Sequence, residues 1–371
     1  MNAEPTIRVG LITDGPPQLS QAGHGLTRVG NILIGEGFHW QKEIEILVEG
    51  SVEPIDSPQG NIHAVNTLGL ESYIKSVIGS EMNPNAPVEF LKAHAIISRS
   101  WTLRKLLGAG TTHNPTPGRN ALLAWEESDA HHGFDVCSDD HCQRYQGVSA
   151  DNELMGSIVA ATHGLVLSAP DGSVVDTRFS KCCGGRTEVF SSCWADTDMP
   201  CLISVADPHC DLSDLTPSDR SEFLKTSLKD YDLDDDPHNN YMHWQADVDG
   251  TELRRRIKAK YGIDTGAIRN IIPVTIGKSG RIVTLCIEGE IGSIEIGKTL
   301  AIRRLLSSNC LRSSRFAITR TPAGFHLKGQ GWGHGVGLCQ IGAARMARDG
   351  ADHQEILDFY YPGSSITKAY D

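Results

Sequence analysis

No apolar run in this 371-residue chain approaches the roughly 20 residues that a membrane-crossing helix needs, so no membrane span is read. Basic residues are the minority. Lys and Arg number 34 against 46 Asp and Glu, a formal charge of −12, which argues against a nucleic-acid partner held by a basic face. The phosphate-cradling GxxxxGKS/T loop, the zinc-protease HExxH and the GxSxG nucleophile elbow are all missing. A GxGxxG-like spacing does occur within Gly331 to Gly337, but no βαβ pattern surrounds it, so no organic cofactor is expected. The first residues, MNAEPTIRVG, lack the basic and apolar regions of an export signal. There is no internal repeat and no low-complexity tract.

What is present is ordinary in bulk and unusual in detail. Hydrophobic content of 39% and charged content of 22% fit a globular protein. Ten cysteines are unevenly placed: seven lie between Cys137 and Cys210, and Cys286, Cys310 and Cys339 stand apart. Such clustering points to metal ligation or local disulfides rather than to scattered buried thiols.

The hydrophobic pattern predicts an α+β fold, mainly β-structure with a pair of core helices near residues 68–107 and further helices at the C-terminus. IRVGLI, NILIGEG, EIEILVEG and NIHAVN are short β-branched runs broken by turn residues. Leu70, Tyr73, Ile74, Val77 and Ile78 follow the spacing of one buried helical face, which Gly79 and Asn83-Pro84-Asn85 should end. A second helix should open near Asn85 to Pro87 and run to Leu107 before Gly108. Three more strands follow at IIPVTIG, RIVTLCIEG and IGSIEIG, after a short helix near Thr251 to Tyr261. The acidic stretch ending in DLDDDPHNN reads as a solvated insertion. The chain closes with helices at Gln340 to Arg348 and His353 to Tyr360.

Four stretches carry possible chemistry. Glu81 falls between the two core helices, where desolvation would favour the protonated form that a general acid needs; a helix-capping role is the plainer alternative. HHGFDVCSDDHCQ offers Cys137, His141 and Cys142, with His131 or His132 upstream, a thiolate and imidazole set suited to zinc. A disulfide between Cys137 and Cys142 competes with that reading. FSKCCGGRTEVFSSCW, followed by Cys201 and Cys210, adds Cys182, Cys183 and Cys193; bridges, metal binding and free thiols are all open to this group, with a bridge or inert thiols the expectation. Finally, Gly329 to Gly337 packs five glycines into nine residues around Trp332 and His334, ahead of a small-residue helix.

Taken in order, ESYIKSVIGSEMNPNAPVEFLKAHAIISRSWTL, FSKCCGGRTE and GQGWGHGVGLCQIGAARMARDGADHQEILDFYYPG resemble the signatures of the stage II sporulation protein D (SpoIID/LytB) family. The resemblance spans about residues 65 to 363. It implies an N-terminal β-rich segment at 1–66 and a catalytic domain at 67–371 with an insertion around 207–262. It also implies a peptidoglycan lytic transglycosylase, a lyase acting on glycan strands stripped of their stem peptides, with Glu81 as acid and then base. By the same carry-over, Ser180, Gly184, Gly185, Thr187, Trp332, His334, Gly335 and Gln340 are expected to line a substrate cleft. The glycine loop would form a wall beside Glu81 that lets sugar rings approach. The resemblance further implies zinc near Glu81, held by His132, Cys137, His141 and Cys142. Glycan strands, and a wall amidase in the rival reading of a non-catalytic amidase enhancer, are the expected partners. The substrate sets the expected place, the cell envelope, reached through a leader that has been removed.

Overall fold

The computed structural model describes residues 3–36, 41–55, 62–108, 121–123, 131, 133–139, 142–148, 152–229 and 241–371. In chain order the elements begin with β1 (Thr6–Gln21), β2 (Thr27–Ile34), β3 (Lys42–Val48), β4 (Ser51–Pro54) and β5 (Ile62–Gly69), then α1 (Leu70–Glu81) and α2 (Val88–Leu106). Next come β6 (Ala121–Leu123), β7 (Val136–Cys137), α3 (Asn152–Ala161), β8 (Leu165–Ser168), β9 (Phe179–Ser180) and α4 (Pro217–Ser227). The following stretch holds β10 (His243–Asp249), α5 (Gly250–Tyr261), β11 (Ile268–Ile276), β12 (Ile282–Gly289), β13 (Ser293–Gly297), α6 (Thr299–Leu306), β14 (Phe316–Thr321) and β15 (Gly324–Gln330). β16 (Leu338–Cys339), α7 (Gln340–Arg348), α8 (His353–Tyr360) and β17 (Ser365–Lys368) complete the chain. With about 30% helix and 34% strand the fold is α+β, more evenly mixed than the strand-rich pattern suggested.

Hydrophobic burial explains the first layer. β1 pairs antiparallel with β5 along its first half and with β2 along its second, giving the order β3-β2-β1-β5-β4. Ile7, Val9 and Leu11 of β1 share one core with Tyr73, Ile74, Val77 and Ile78 of α1. These side chains are fully buried, each worth about 1.5–3 kcal/mol relative to exposure for residues of this kind. The strands before α1 and the helices after them meet on one set of side chains. They are two faces of one core.

A second core lies inside the C-terminal span. Trp244, Val248, Leu253, Ile257, Leu285, Ile287, Ile296, Ile302, Leu305 and Leu327 pack together between the sheets β10-β15-β14 and β11-β12-β13-β6. Within the span 207–262, α5 buries Leu253 and Ile257 in a core that it shares with β10 and with strands and a helix that come after residue 262.

Local signals set the helix ends. α1 continues through Gly79 to Glu81, and Asn83 then forms the turn, its Oδ1 accepting the Asn85 N–H at 2.8 Å. α2 starts after Pro87 without a side-chain cap. Glu71 on α1 accepts two hydrogen bonds from the Arg99 guanidinium on α2, at 2.9 and 2.7 Å, and one from the Tyr370 hydroxyl at 2.6 Å. That buried ion pair fixes the two helices to each other and to the C-terminus.

Candidate active site

β1 carries the loop that faces Glu81. β7 runs parallel to it, with Val136 beside Val9 and Cys137 beside Gly10. The Ser138 N–H donates to the Gly10 carbonyl at 3.0 Å, and the Ser138 hydroxyl accepts from the Ile12 N–H at 3.1 Å. Gly10 must be bare because a Cβ there would fall 2.7 Å from the Phe134 ring. From Cys142 the chain turns along the last turn of α1. The Gln146 N–H donates to the Ser80 hydroxyl at 3.0 Å, and the Arg144 N–H donates to Glu81 Oε1 at 3.2 Å. Tyr145 stacks on Tyr73 with ring centroids 5.5 Å apart.

Glu81 ends α1 and is 7% exposed. Its charge reaches the buried Tyr73 phenol, as do Cys142, Cys137 and Tyr145; burial, then these neighbours, push the phenol well above its ordinary range. The carboxyl and the thiols of the Cys137–Cys142 loop therefore share one neighbourhood.

Of the four expected metal ligands, Cys137 and Cys142 are brought together, and His131 joins them. One donor atom from each lies within 4.8 Å of the others, with His131 Nε2 3.7 Å from the Cys142 thiol. His132 and His141 lie outside the described residues.

The second set assembles differently. Cys182 bridges to Trp332 and Glu188 to Val336, so the 182–188 segment lies against the glycine loop. The Arg281 guanidinium is buried beneath, donating to the carbonyls of Gly333 at 3.3 Å, Cys183 at 3.0 Å and Cys182 at 3.3 Å. Gly331, Gly333, Gly335 and Gly337 all have φ between 70° and 90°, where only glycine is comfortable. Their neighbours are close: a Cβ on Gly335 would sit 2.4 Å from Arg281 Cζ, and one on Gly337 would sit 2.0 Å from the Arg178 carbonyl. The bare backbone is used up by the protein itself.

Most of the expected cleft residues belong to that seam. Ser180 accepts the Gly335 N–H at 3.2 Å, and the Thr187 hydroxyl accepts the Val205 N–H at 2.8 Å. Gly184 and Gly185 supply positive-φ backbone, and the Gly185 carbonyl receives the Asp207 N–H at 3.0 Å. Trp332 is 5% exposed, its ring held between Tyr241 at 5.2 Å and Arg312 at 5.1 Å, so the anticipated stacking face is covered. His334 is half-buried against Trp194, and its Nδ1 accepts the Val336 N–H at 3.0 Å. Burial, then Arg178, Arg281 and Arg303, hold its pKa well below the usual value, so the ring is neutral.

A link between the two regions runs through α2, and of the residues on it only Gln340 was singled out in the sequence. Gln340, 2% exposed, reaches His94 Nε2 at 3.3 Å; His94 Nδ1 meets the Ser98 hydroxyl at 3.2 Å; and the Ser98 carbonyl accepts Gln143 Nε2 at 3.4 Å, one residue before Arg144. His94, Ser98 and Thr102 recur every fourth residue along one side of the buried stretch of α2, a stripe that could have flagged them. Arg281 gave no such sign.

Burial, then the Lys181 charge, lowers the His94 pKa from 6.5 to about 3. The unfolded chain therefore takes up a proton near pH 6.5 that the folded chain refuses until far lower pH. Stability is expected to fall by about 1.4 kcal/mol per pH unit from this group as pH drops below 6.5. Urea unfolding at stepped pH checks this, because His94→Gln should remove that share of the slope. An unchanged slope would mean that His94 titrates normally.

Comparison with known proteins fits this arrangement. A family model described as stage II sporulation protein matches residues 58–168, which contain α1, α2, Glu81, Cys137 and Cys142. A domain of unknown function (DUF8618) matches residues 188–337, across the second core and the glycine loop. An uncharacterised protein of Brachyspira hyodysenteriae is 30% identical over 303 residues, 81% of this chain and 67% of that one. Stage II sporulation protein D of Bacillus subtilis is 25% identical over 309 residues, 82% of this chain and 76% of its own. The Amidase enhancer of the same organism is 25% identical over 318 residues, 79% of this chain but 40% of that protein.

Proposed function

This chain belongs to the stage II sporulation protein D family, whose members tie it to the cell wall, and from that premise we propose that it is a peptidoglycan lytic transglycosylase with Glu81 as its single catalytic residue. The substrate is the glycan strand freed of stem peptides. Glu81 protonates the oxygen between MurNAc and GlcNAc. As a carboxylate it then takes the proton from the MurNAc 6-hydroxyl, which closes on its own anomeric carbon and leaves a 1,6-anhydro end. Ordinary glycosidases need a second carboxylate for water or for a covalent adduct. Here the sugar supplies the nucleophile, so one positioned carboxyl suffices.

The observation that carries this reading is the way Glu81 is held. It is the last residue of α1 and is buried there, and a backbone N–H from a separate loop fixes one of its oxygens at 3.2 Å. A carboxyl whose job was to solvate a surface would not need both supports. Incubation with peptide-free glycan, followed by mass analysis of the fragments, tests the reading; release of anhydro-ended sugars is expected.

The donor set of His131, Cys137 and Cys142 suits zinc in chemistry and in spacing, since structural zinc takes thiolate and imidazole. When bound there, the ion would clamp the loop, its charge balanced by the two thiolates. The loop itself delivers the Arg144 N–H to the carboxyl. Cys142→Ser is therefore expected to lose one zinc equivalent relative to the parent, read by metal analysis of folded protein. Equal zinc in both would remove the metal from this loop.

The alignment with the Amidase enhancer favours a second reading, a wall-binding module that stimulates a wall amidase without cutting glycan. Such a module would leave peptide-free glycan intact. Either reading places the protein in the cell envelope.

A further inference from the structure

Three distant parts of the chain send sulfur to one point beneath the glycine seam. Cys182 and Cys183 follow β9, Cys210 ends the short turn Pro208–Cys210, and Cys339 closes β16 just before α7. All four are fully buried, and Asp207 beside them is 1% exposed. Donor atoms of Cys183, Asp207, Cys210 and Cys339 all lie within 4.8 Å of one another.

The spacing discriminates among the uses of clustered cysteine. The Cys210 Sγ is 3.4 Å from the Sγ of Cys339 and also 3.4 Å from that of Cys182. A disulfide needs about 2.05 Å, and Cys210 could satisfy only one of these two neighbours. Four ligands around one zinc, with Zn–S about 2.3 Å, put tetrahedral corners about 3.8 Å apart. The observed separations suit a single ion. An iron–sulfur cluster, which spreads its thiolates over several irons, would need a wider cage.

The surroundings match what a metal–thiolate centre requires of its second layer. The Cys183 N–H donates to Cys339 Sγ at 3.2 Å. Asp207 is oriented by the Tyr360 hydroxyl at 2.9 Å and by the Cys210 N–H at 3.1 Å, leaving Oδ2 3.2 Å from Cys183 Sγ. Gly342 on α7 is bare for the same reason: a Cβ would fall 2.1 Å from the Tyr360 hydroxyl and 2.6 Å from Asp207 Oδ2. Arg281 donates to the Cys182 and Cys183 carbonyls and Arg315 to that of Gly184, setting positive charge beside an anionic cage.

We propose that Cys183, Asp207, Cys210 and Cys339 hold one tetrahedral divalent ion of the zinc class, separate from the loop near Glu81. Cys182 stays outside the cage, its thiol against Cys210 and the Met242 thioether at 3.2 Å. The ion is a staple that joins the segment after β9, the turn at 208–210 and the glycine loop through Cys339.

The test reads metal, so it is independent of glycan cleavage. The full chain with Cys137→Ser and Cys142→Ser, purified reduced, loaded with Zn2+ and desalted, is expected to keep one zinc per chain while circular dichroism reports a folded protein. Adding Cys210→Ser should bring that to none, and adding Cys182→Ser should leave it. Because a serine in this core can unfold the chain by itself, crystals of the unsubstituted protein supply the second arm. A zinc-edge anomalous map should show a peak bonded to Cys183, Asp207, Cys210 and Cys339. A map without that peak, a disulfide at Cys210, iron in place of zinc, or loss of the ion in Cys182→Ser would each overturn the assignment.

Discussion

Glu81→Gln lowers the release of anhydro-ended sugars from peptide-free glycan by about 10²–10⁴-fold, the range a positioned acid–base group contributes. The substitution is conservative where it needs to be. Glutamine keeps an oxygen that can accept the Arg144 N–H, so the end of α1 and the loop it meets should stay in place. What it removes is the transferable proton. Melting temperature and zinc content should therefore match those of the parent, and only turnover should fall. Undiminished product from the Glu81→Gln protein would transfer the chemistry to another group.

Gly335→Val destabilises the protein by about 3–5 kcal/mol, the sum of forcing a branched side chain to positive φ and of overpacking a closed site. Its φ is +79°, and the new Cβ would lie 2.4 Å from the Arg281 guanidinium carbon and 2.4 Å from one of its nitrogens. Arg281 has no room to retreat, since the same group satisfies three loop carbonyls and the Ser279 hydroxyl. Activity should be lost together with the fold. Urea unfolding measures the effect. A Gly335→Val protein as stable as its parent, with only glycan cleavage impaired, would restore the view that this loop is a sugar-facing wall.

That second case marks where the sequence stops being legible. The periodicity at Leu70 to Ile78 and the helices at Gln340 and His353 were readable because local pattern and local structure obey the same spacing. The glycine cluster announced a close approach but not its partner, because Arg281 lies some fifty residues away and looks like any surface arginine. Trp332 and Gln340 were expected to meet substrate through the family resemblance, and both are buried. α6 passed unread between strands although its apolar face packs on β12 and β13. The loop of Cys137 and Cys142 was half legible: the two thiols come together as expected, with His131 as the imidazole beside them among the described residues. That Cys339 joins Cys183 and Cys210 was hidden, since sequence separation says nothing about which buried thiols meet.

The chemistry rests on whether cleavage uses the sugar's own hydroxyl. Mass spectrometry of fragments from peptide-free glycan settles that in one experiment. The account predicts ends one water lighter than hydrolysis would leave, from the parent protein and not from Glu81→Gln. Reducing ends, or an intact polymer beside a stimulated amidase, would contradict it.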